Sequence, residues 1–103
     1  MCNLFACQDP ATYAAEARAL RLHGHATSVR LEAAFWAVLE EIAALEGLSV
    51  ARFVAALHDE VLDRQGEVSN LASLLRVTCL HWTRHRDLHS AQAEVRRLET
   101  TLQ

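Results

Sequence analysis

Apolar and polar residues alternate between residues 26 and 31, which is the pattern of a strand that buries one face. The set expected to face the core is Thr27, Val29 and Leu31, and the outward set is Ala26, Ser28 and Arg30. Because apolar side chains gain free energy by leaving water, the second set should lie on the solvent side. The alternation predicts one short strand with a polar, partly basic outer face.

Two helices are predicted directly after this strand. Apolar side chains recur at helical spacing in both segments, at Phe35, Leu39, Ile42 and Leu45 and then at Phe53, Val54, Leu57, Val61 and Leu62. Gly47 is expected to end the first helix, because glycine readily adopts the left-handed conformation. Ser49 is expected to cap the second, which should end near Gly66.

A third helix is expected to begin after Ser69 and can continue past Trp82 to the end of the chain, since no Gly or Pro follows Gly66. Its last part carries apolar residues at heptad spacing, namely Leu88, Ala91, Val95, Leu98 and Leu102. Two heptads are short for an autonomous coiled coil. This tail should either pack on the body or pair weakly in a dimer.

The segment before the strand is ambiguous. A short strand is possible at residues 3–6, and Asp9-Pro10 is a start signal for an alanine-rich stretch at 11–20. Alanine favours a helix there, and we expect one. The alternation around Arg18 and Leu20 also permits a strand that turns back at Gly24, so that alternative stays open.

A single strand followed by two helices cannot satisfy both strand edges within one chain, which predicts a homodimer. A chain of 103 residues also buries a modest share of its surface, and a second copy would extend the core. We divide the chain into an N-terminal extension at 1–24, a core at 25–66 and a dimer-supporting helical region at 67–103. The expected fold class is mainly α.

Composition narrows the function classes. No apolar run approaches a membrane span and no secretion signal is visible, so we expect a cytoplasmic protein without a membrane partner. The three cysteines suit reduced thiols. The net charge is −3, yet residues 17–31 contain three arginines and no acid. The predicted strand is thus the locally basic element.

The strand residues 27–32 and the Glu-Gly-Leu-Ser joint at 46–49 resemble the ribbon-helix-helix DNA-binding family. Residues 20–25, the pair Phe35-Trp36, the segment 70–73 and a start with Met-Cys-x-x-Phe are similar to a subgroup of small bacterial proteins within it. The resemblance implies an intertwined homodimer in which one strand from each subunit forms a two-stranded antiparallel ribbon. An additional C-terminal helix extends that fold.

The resemblance further implies sequence-specific binding of double-stranded DNA, with the ribbon in the major groove, and a role as a transcriptional repressor or regulator. The base-facing residues it implies are Ala26, Ser28 and Arg30. The phosphate-facing residues it implies, at the start of the second helix, are Ser49, Val50 and Arg52. We expect no catalytic residue, no bound metal or cofactor and no small-molecule substrate.

Two other interpretations remain open. A protein-interaction module on the same dimer fold is favoured by the net charge and by the small Ala26, and residues 1–24 would then lie across the ribbon face. A metal- or haem-sensing regulator is suggested by His81, His85 and His89, spaced four apart with Cys79 close by. A set with Cys2, Cys7, His23 and His25 fits no standard zinc spacing.

Overall fold

The structure is a computed structural model that describes the backbone of residues 2–102 and the side chains of residues 4–88 and 91–99. Its elements, in chain order, are α1 (Cys2–Ala6), α2 (Pro10–Tyr13), β1 (Ala15–Leu22), β2 (His25–Glu32), α3 (Ala33–Leu45), α4 (Val50–Gln65), α5 (Leu71–Arg84) and α6 (Arg86–Leu102). Within that part of the chain, no helix is long and apolar enough to cross a bilayer.

The two strands form an antiparallel hairpin within one chain. Their register runs from Ala15 opposite Glu32 to Leu22 opposite His25. His23 and Gly24 make the two-residue turn with φ of +52° and +80°, the left-handed pair that a type I′ turn needs. This turn matches the right-handed twist of the flanking strands, so the tight connection is favourable.

The joint between α3 and α4 has the predicted form. Gly47 adopts φ of +73°, and Leu48 donates its amide to the Ala43 carbonyl at 2.8 Å, which ends α3. The Ser49 hydroxyl then accepts from the Arg52 amide at 3.2 Å and caps α4. Gly66, at φ of +83°, ends α4 as expected. These local signals set where α3 and α4 begin and end.

The core lies between the inner face of the hairpin and helices α3, α4 and α5. Its fully buried large side chains are Leu31, Trp36, Leu39, Val54, Leu75 and Cys79. Both tryptophans are anchors here, since Trp36 is 1% and Trp82 6% exposed. Val29 and Leu31 face inward and their neighbours outward, as the alternation predicted.

The helix expected at residues 11–20 is wrong beyond its first turn. Asp9 caps a helix that begins at Pro10, but this helix ends at Tyr13 and a strand follows. Leu20 and Leu22 become buried in the strand, at 5% and 7% exposure, and that burial outweighs the helix propensity of the alanines. The strand considered at residues 3–6 is also wrong, because those residues lie in α1.

The hairpin of β1 and β2 crosses the predicted boundary between the N-terminal extension and the core. The boundary between the extension at 1–24 and the core at 25–66 falls inside the turn, and β1 of the first segment pairs with β2 of the second. The division itself stays a prediction. One edge of β2, which was expected to need a second subunit, is therefore paired within the chain.

The C-terminal region contains two helices, α5 and α6, and not the one continuous helix that the sequence also allowed. Asn70, and not Ser69, caps α5 by accepting from the Ser73 amide at 3.0 Å. His85 leaves helical geometry, with φ of −122° and ψ of 30°, and separates α5 from α6. Leu88, Val95 and Leu98 of the heptad pattern are each more than half exposed. The side chain of Leu102 lies outside the described residues.

Helix α6 is held against the body by charged contacts. Arg86 pairs with Glu41 at 3.3 Å and lies over the Trp82 ring at 4.7 Å. Further along the helix, Arg96 pairs with Glu46 at 2.8 Å. These pairs orient the helix while its heptad residues stay exposed.

A core substitution tests this packing. We expect Leu39→Ala to lower the free energy of unfolding by about 2–5 kcal/mol, because Leu39 is fully buried and its loss leaves a cavity. Leu4→Ala is the matched control at a side chain that is 74% exposed, and it should change stability by less than about 0.5 kcal/mol. Urea denaturation measures both values, and equal effects would contradict this core.

An ion pair joins the end of β2 to α5. Arg76 donates through Nε to the Glu32 carboxylate at 2.9 Å, and its guanidinium lies 6.0 Å from the centre of the Phe35 ring. The Arg76 hydrogen bond is the main cause that lowers the pKa of Glu32 below its ordinary value of 4.5. Stability from a lowered carboxyl pKa is present above pH 4.5 and is lost as the pH falls through the folded-state pKa.

The pair predicts a pH-dependent effect of Arg76→Gln. The difference in unfolding free energy between wild type and variant should be largest above pH 4.5 and should shrink at lower pH. Urea denaturation across this range measures it. Arg84→Gln, at an exposed position on the same helix, is the control and should show no such dependence. A difference that stays constant with pH for Arg76→Gln would show that the ion pair is not the cause.

Candidate nucleic-acid interface

The outer face of β2 presents the three predicted base-facing side chains. Ala26, Ser28 and Arg30 are exposed, and they lie on one face because they alternate with the inward residues. The strand within segment 1–24 does not lie across this face, since it runs beside β2 in the same sheet. The face is therefore open to a flat or grooved partner.

Strand β1 widens this face. Ala17 stands opposite Arg30, Ala19 opposite Ser28 and Arg21 opposite Ala26, and all three β1 residues are exposed. We call these six residues the outer face of the hairpin. Arg21 was not among the predicted contacts, although the alternation with Leu20 and Leu22 was the available signal. With small side chains between the two arginines, the outer face is low in relief and basic at both ends.

The arginines of the hairpin have different environments. Arg18 is held by Glu16 at 2.6 Å and Glu40 at 3.0 Å and lies over the Trp36 ring at 4.7 Å. Arg21 donates to the Gly24 carbonyl at 2.9 Å. Among the described side chains, Arg30 has neither an ion pair nor a hydrogen bond. Its guanidinium is therefore available to an external acceptor.

Contacts at the base of the hairpin hold it in place on the helices. The Trp36 indole N–H donates to the Glu16 carbonyl at 2.8 Å, which ties β1 to α3. The Ala33 amide donates to the Ala14 carbonyl at 2.9 Å, and the Glu32–Arg76 pair ties β2 to α5. The outer face is thus carried on a supported ribbon, which reduces the entropy lost when a ligand binds.

The outward edge of β2 is also available. Leu22 and His25 flank the two-residue turn. In a hairpin with such a turn the flanking pair is hydrogen-bonded, and bonded pairs alternate with non-bonded pairs along the strands. By this alternation, the amides and carbonyls of Ala26, Ser28 and Arg30 point away from β1. Such an edge is a template for another strand.

The predicted phosphate contacts lie at the start of α4. The Ser49 hydroxyl is engaged in the cap, and the amides of Val50 and Ala51 precede the first intrahelical bond, which Phe53 donates to the Ser49 carbonyl at 2.9 Å. Arg52 is exposed, and no described side chain forms an ion pair with it. Free amides and the helix dipole favour an anion at this position.

The structure does not join the two predicted groups directly. Ala26, Ser28 and Arg30 belong to the outer face of the hairpin. Ser49, Val50 and Arg52 lie at the N-terminal start of α4. No hydrogen bond or ion pair among the described residues connects them. Helix α4 instead meets the hairpin at its turn, where His23 contacts Asp59 at 2.7 Å. A ligand that contacts both the outer face and the start of α4 must therefore reach from one to the other.

The histidine and cysteine set near the C-terminus is only partly assembled. The His81 and His85 rings lie with centroids 4.9 Å apart, but the break at His85 interrupts the helical spacing to His89, whose side chain lies outside the described residues. Cys79 is buried, and burial raises its pKa to about 11, so the thiol stays protonated. A protonated, buried thiol is a poor metal ligand.

Comparison with known proteins identifies the fold. A family model described as ribbon-helix-helix domain matches residues 15–83, a range that starts with β1 and contains α3 and α4. The chain is also similar to a solved structure of an uncharacterized protein from Bordetella pertussis Tohama I, with 47% identity and a TM-score of 0.81. That match covers 84% of this chain and 70% of the other.

No curated protein matches the chain significantly. The family match nevertheless spans most of the chain and takes in the hairpin with the helices that support it. Ribbon-helix-helix domains generally bind DNA in transcription regulators. The sequence match and the observed order of strands and helices agree, and the chain belongs to the ribbon-helix-helix domain family.

Proposed function

We propose that this protein binds double-stranded DNA in a sequence-specific manner as a homodimer and acts as a transcriptional repressor or regulator. The observation that carries the proposal is the exposed Arg30 on the open outer face, without a partner among the described residues. A two-stranded ribbon fits the major groove, where each base pair shows a distinct pattern of donors and acceptors. The chemistry is reversible binding.

The outer face offers complementary chemistry for base edges. Arg30 can donate two hydrogen bonds to the O6 and N7 acceptors of guanine, which contributes roughly 1–3 kcal/mol of discrimination. The Ser28 hydroxyl can both donate and accept. Ala26 supplies a methyl contact that suits thymine. Arg21, at the other end of the face, adds a cation that can reach a phosphate.

The start of α4 supplies the phosphate contact in this proposal. The amides of Val50 and Ala51 and the dipole of a 16-residue helix favour a phosphate there, and Ser49 keeps the helix start in shape. Arg52 adds a cation one turn into the helix. Such contacts carry no sequence information, but they set the register of the protein on the duplex.

The negative net charge does not oppose this function. The pairs Arg18–Glu40, Arg76–Glu32, Arg86–Glu41 and Arg96–Glu46 each cancel one positive and one negative charge, so the position of the remaining charges matters more for DNA binding than their sum. The outer face itself carries two arginines and no acid. The openness of this face favours DNA over the alternative, a protein-interaction module in which the N-terminal segment covers the ribbon.

The free edge of β2 supports the proposed homodimer. When β2 pairs antiparallel with the same strand of a second copy, the two β2 strands form a central two-stranded ribbon that carries Ala26, Ser28 and Arg30 from each subunit, and β1 flanks this ribbon on either side. Exposed apolar side chains on the helices supply further surface for association, namely Val77 and Leu80 on α5 and Leu88, Val95 and Leu98 on α6. The dimer doubles the contacts with DNA.

The first test is the effect of Arg30→Ala on DNA binding. Fluorescence anisotropy should show that the wild type binds its own promoter region more tightly than random duplex, with affinity that falls steeply as salt rises. Arg30→Ala removes one guanine contact from each subunit, so promoter binding should weaken by at least about 5–150-fold, the equivalent of a single guanine contact. Arg64→Ala, at an exposed position paired with Glu60, is the charge-matched control.

Two outcomes would contradict the proposal. Equal effects of Arg30→Ala and Arg64→Ala would show that the outer face does not contact bases. Absence of wild-type binding at low salt, in a sample shown to be dimeric, would favour the protein-interaction module.

The second test concerns the dimer edge. The Ser28 amide points away from β1, so we expect Ser28→Pro to keep the hairpin but to block its pairing with a second copy. Light scattering should then find a monomer at concentrations where the wild type is a dimer. Ala19→Pro places the same change on the outward edge of β1 and should leave the dimer intact. If both variants remain dimers, β2 is not the dimer edge.

A further inference from the structure

Three potential metal ligands from distant parts of the sequence meet beside the hairpin turn. His23 occupies the first turn position, and His58 and Asp59 lie on α4. His23 Nε2 is 2.7 Å from Asp59 Oδ1, and His58 Nδ1 is 3.9 Å from that same oxygen. The three residues bring their ligand atoms within 4.8 Å of one another, an arrangement found at this one place in the part of the chain that the structure describes.

The His58 side chain provides an independent observation. Its Nδ1 atom is buried and has no hydrogen-bond partner among the described groups. A buried ring nitrogen without a partner is uncommon, because the hydrogen bonds that it made to water are lost. The atom is close to a carboxylate and to a second imidazole, so the missing partner can be a cation shared by the three groups.

We propose that His23, His58 and Asp59 form a binding site for a divalent transition metal, with Zn²⁺ as the best fit. Two imidazole nitrogens and one carboxylate oxygen are borderline-soft and hard donors, a set that suits zinc better than calcium or magnesium. Three protein ligands leave a coordination position for water. None of the three ligands belongs to the six-residue outer face, and the inference does not depend on DNA binding.

The side chains must adjust before all three ligand atoms, which lie within 4.8 Å of one another, can reach one ion. Metal–ligand distances of about 2.0–2.2 Å place tetrahedral ligand atoms about 3.3–3.5 Å apart, between the two distances observed here. The His23 and Asp59 side chains are 55% and 57% exposed and have room to move, whereas His58 is 19% exposed and is held in place. The cation would replace the direct contact between His23 and Asp59.

A metal at this position would connect the hairpin turn to α4. The ligands come from residues separated by the whole of β2 and α3, so the unfolded chain does not hold them together. Binding to the folded state alone raises its stability as the metal concentration increases. The expected signature is therefore a metal-dependent rise in melting temperature together with coordination of one ion per chain.

The test is a titration of the full chain with Co²⁺, which gives visible absorption in tetrahedral sites, followed by displacement with Zn²⁺. We expect one ion per chain and a higher melting temperature with Zn²⁺. His23→Asn and Asp59→Asn should each weaken binding at least about tenfold, and His25→Ala, at the other side of the turn, should leave it unchanged. Asparagine suits the positive φ at position 23, so His23→Asn keeps the turn.

Each alternative result has a clear meaning. If the wild type shows neither absorption nor a melting shift at millimolar metal, the inference is overturned and the His23–Asp59 contact is an ordinary ion pair. It is also overturned if His23→Asn and Asp59→Asn bind as the wild type does, because the ion then binds elsewhere. Circular dichroism and the metal-free melting temperature verify that both variants are folded.

Discussion

The antiparallel pairing of β1 with β2 is the constraint on which the rest of this structure depends. It places Leu20 and Leu22 beside Val29 and Leu31 on one buried face, against which α3, α4 and α5 pack. Because side chains alternate across a strand, burial of that face forces the other one into solvent. The basic outer face is thus a direct consequence of how the core is formed.

The same pairing leaves the sheet incomplete. A two-stranded hairpin has two edges, and here the outward edge of β2 lies next to the residues that carry the proposed DNA contacts. In a monomer, such an unpaired strand edge promotes aggregation. In a dimer, it forms hydrogen bonds with the second copy. The proposed dimer therefore pairs the open edge of β2 and, by the same contact, brings the DNA-binding residues of two subunits together.

The sequence was sufficient wherever a local signal decided the structure. The alternation at 26–31 and the Gly47–Ser49 joint were predicted correctly, since each depends on neighbouring residues. The alanine-rich stretch at 11–20 favours a helix by its local propensity. From residue 15 onward it forms β1 instead, because pairing with β2 outweighs that propensity. Likewise, no Gly or Pro marks the break at His85, so the sequence left open whether one helix or two follow Gly66.

By itself, the sequence determined the element types of the central region, their caps and the polarity of β2, because backbone preference and period-two alternation are local properties. Only the tertiary structure decided that β1 pairs with β2, that Arg21 joins the outer face, and that His23 meets His58 and Asp59. These contacts join residues that no short sequence pattern relates. Their geometry depends on how the chain turns back on itself and how the helices pack on the hairpin, and no local pattern records it.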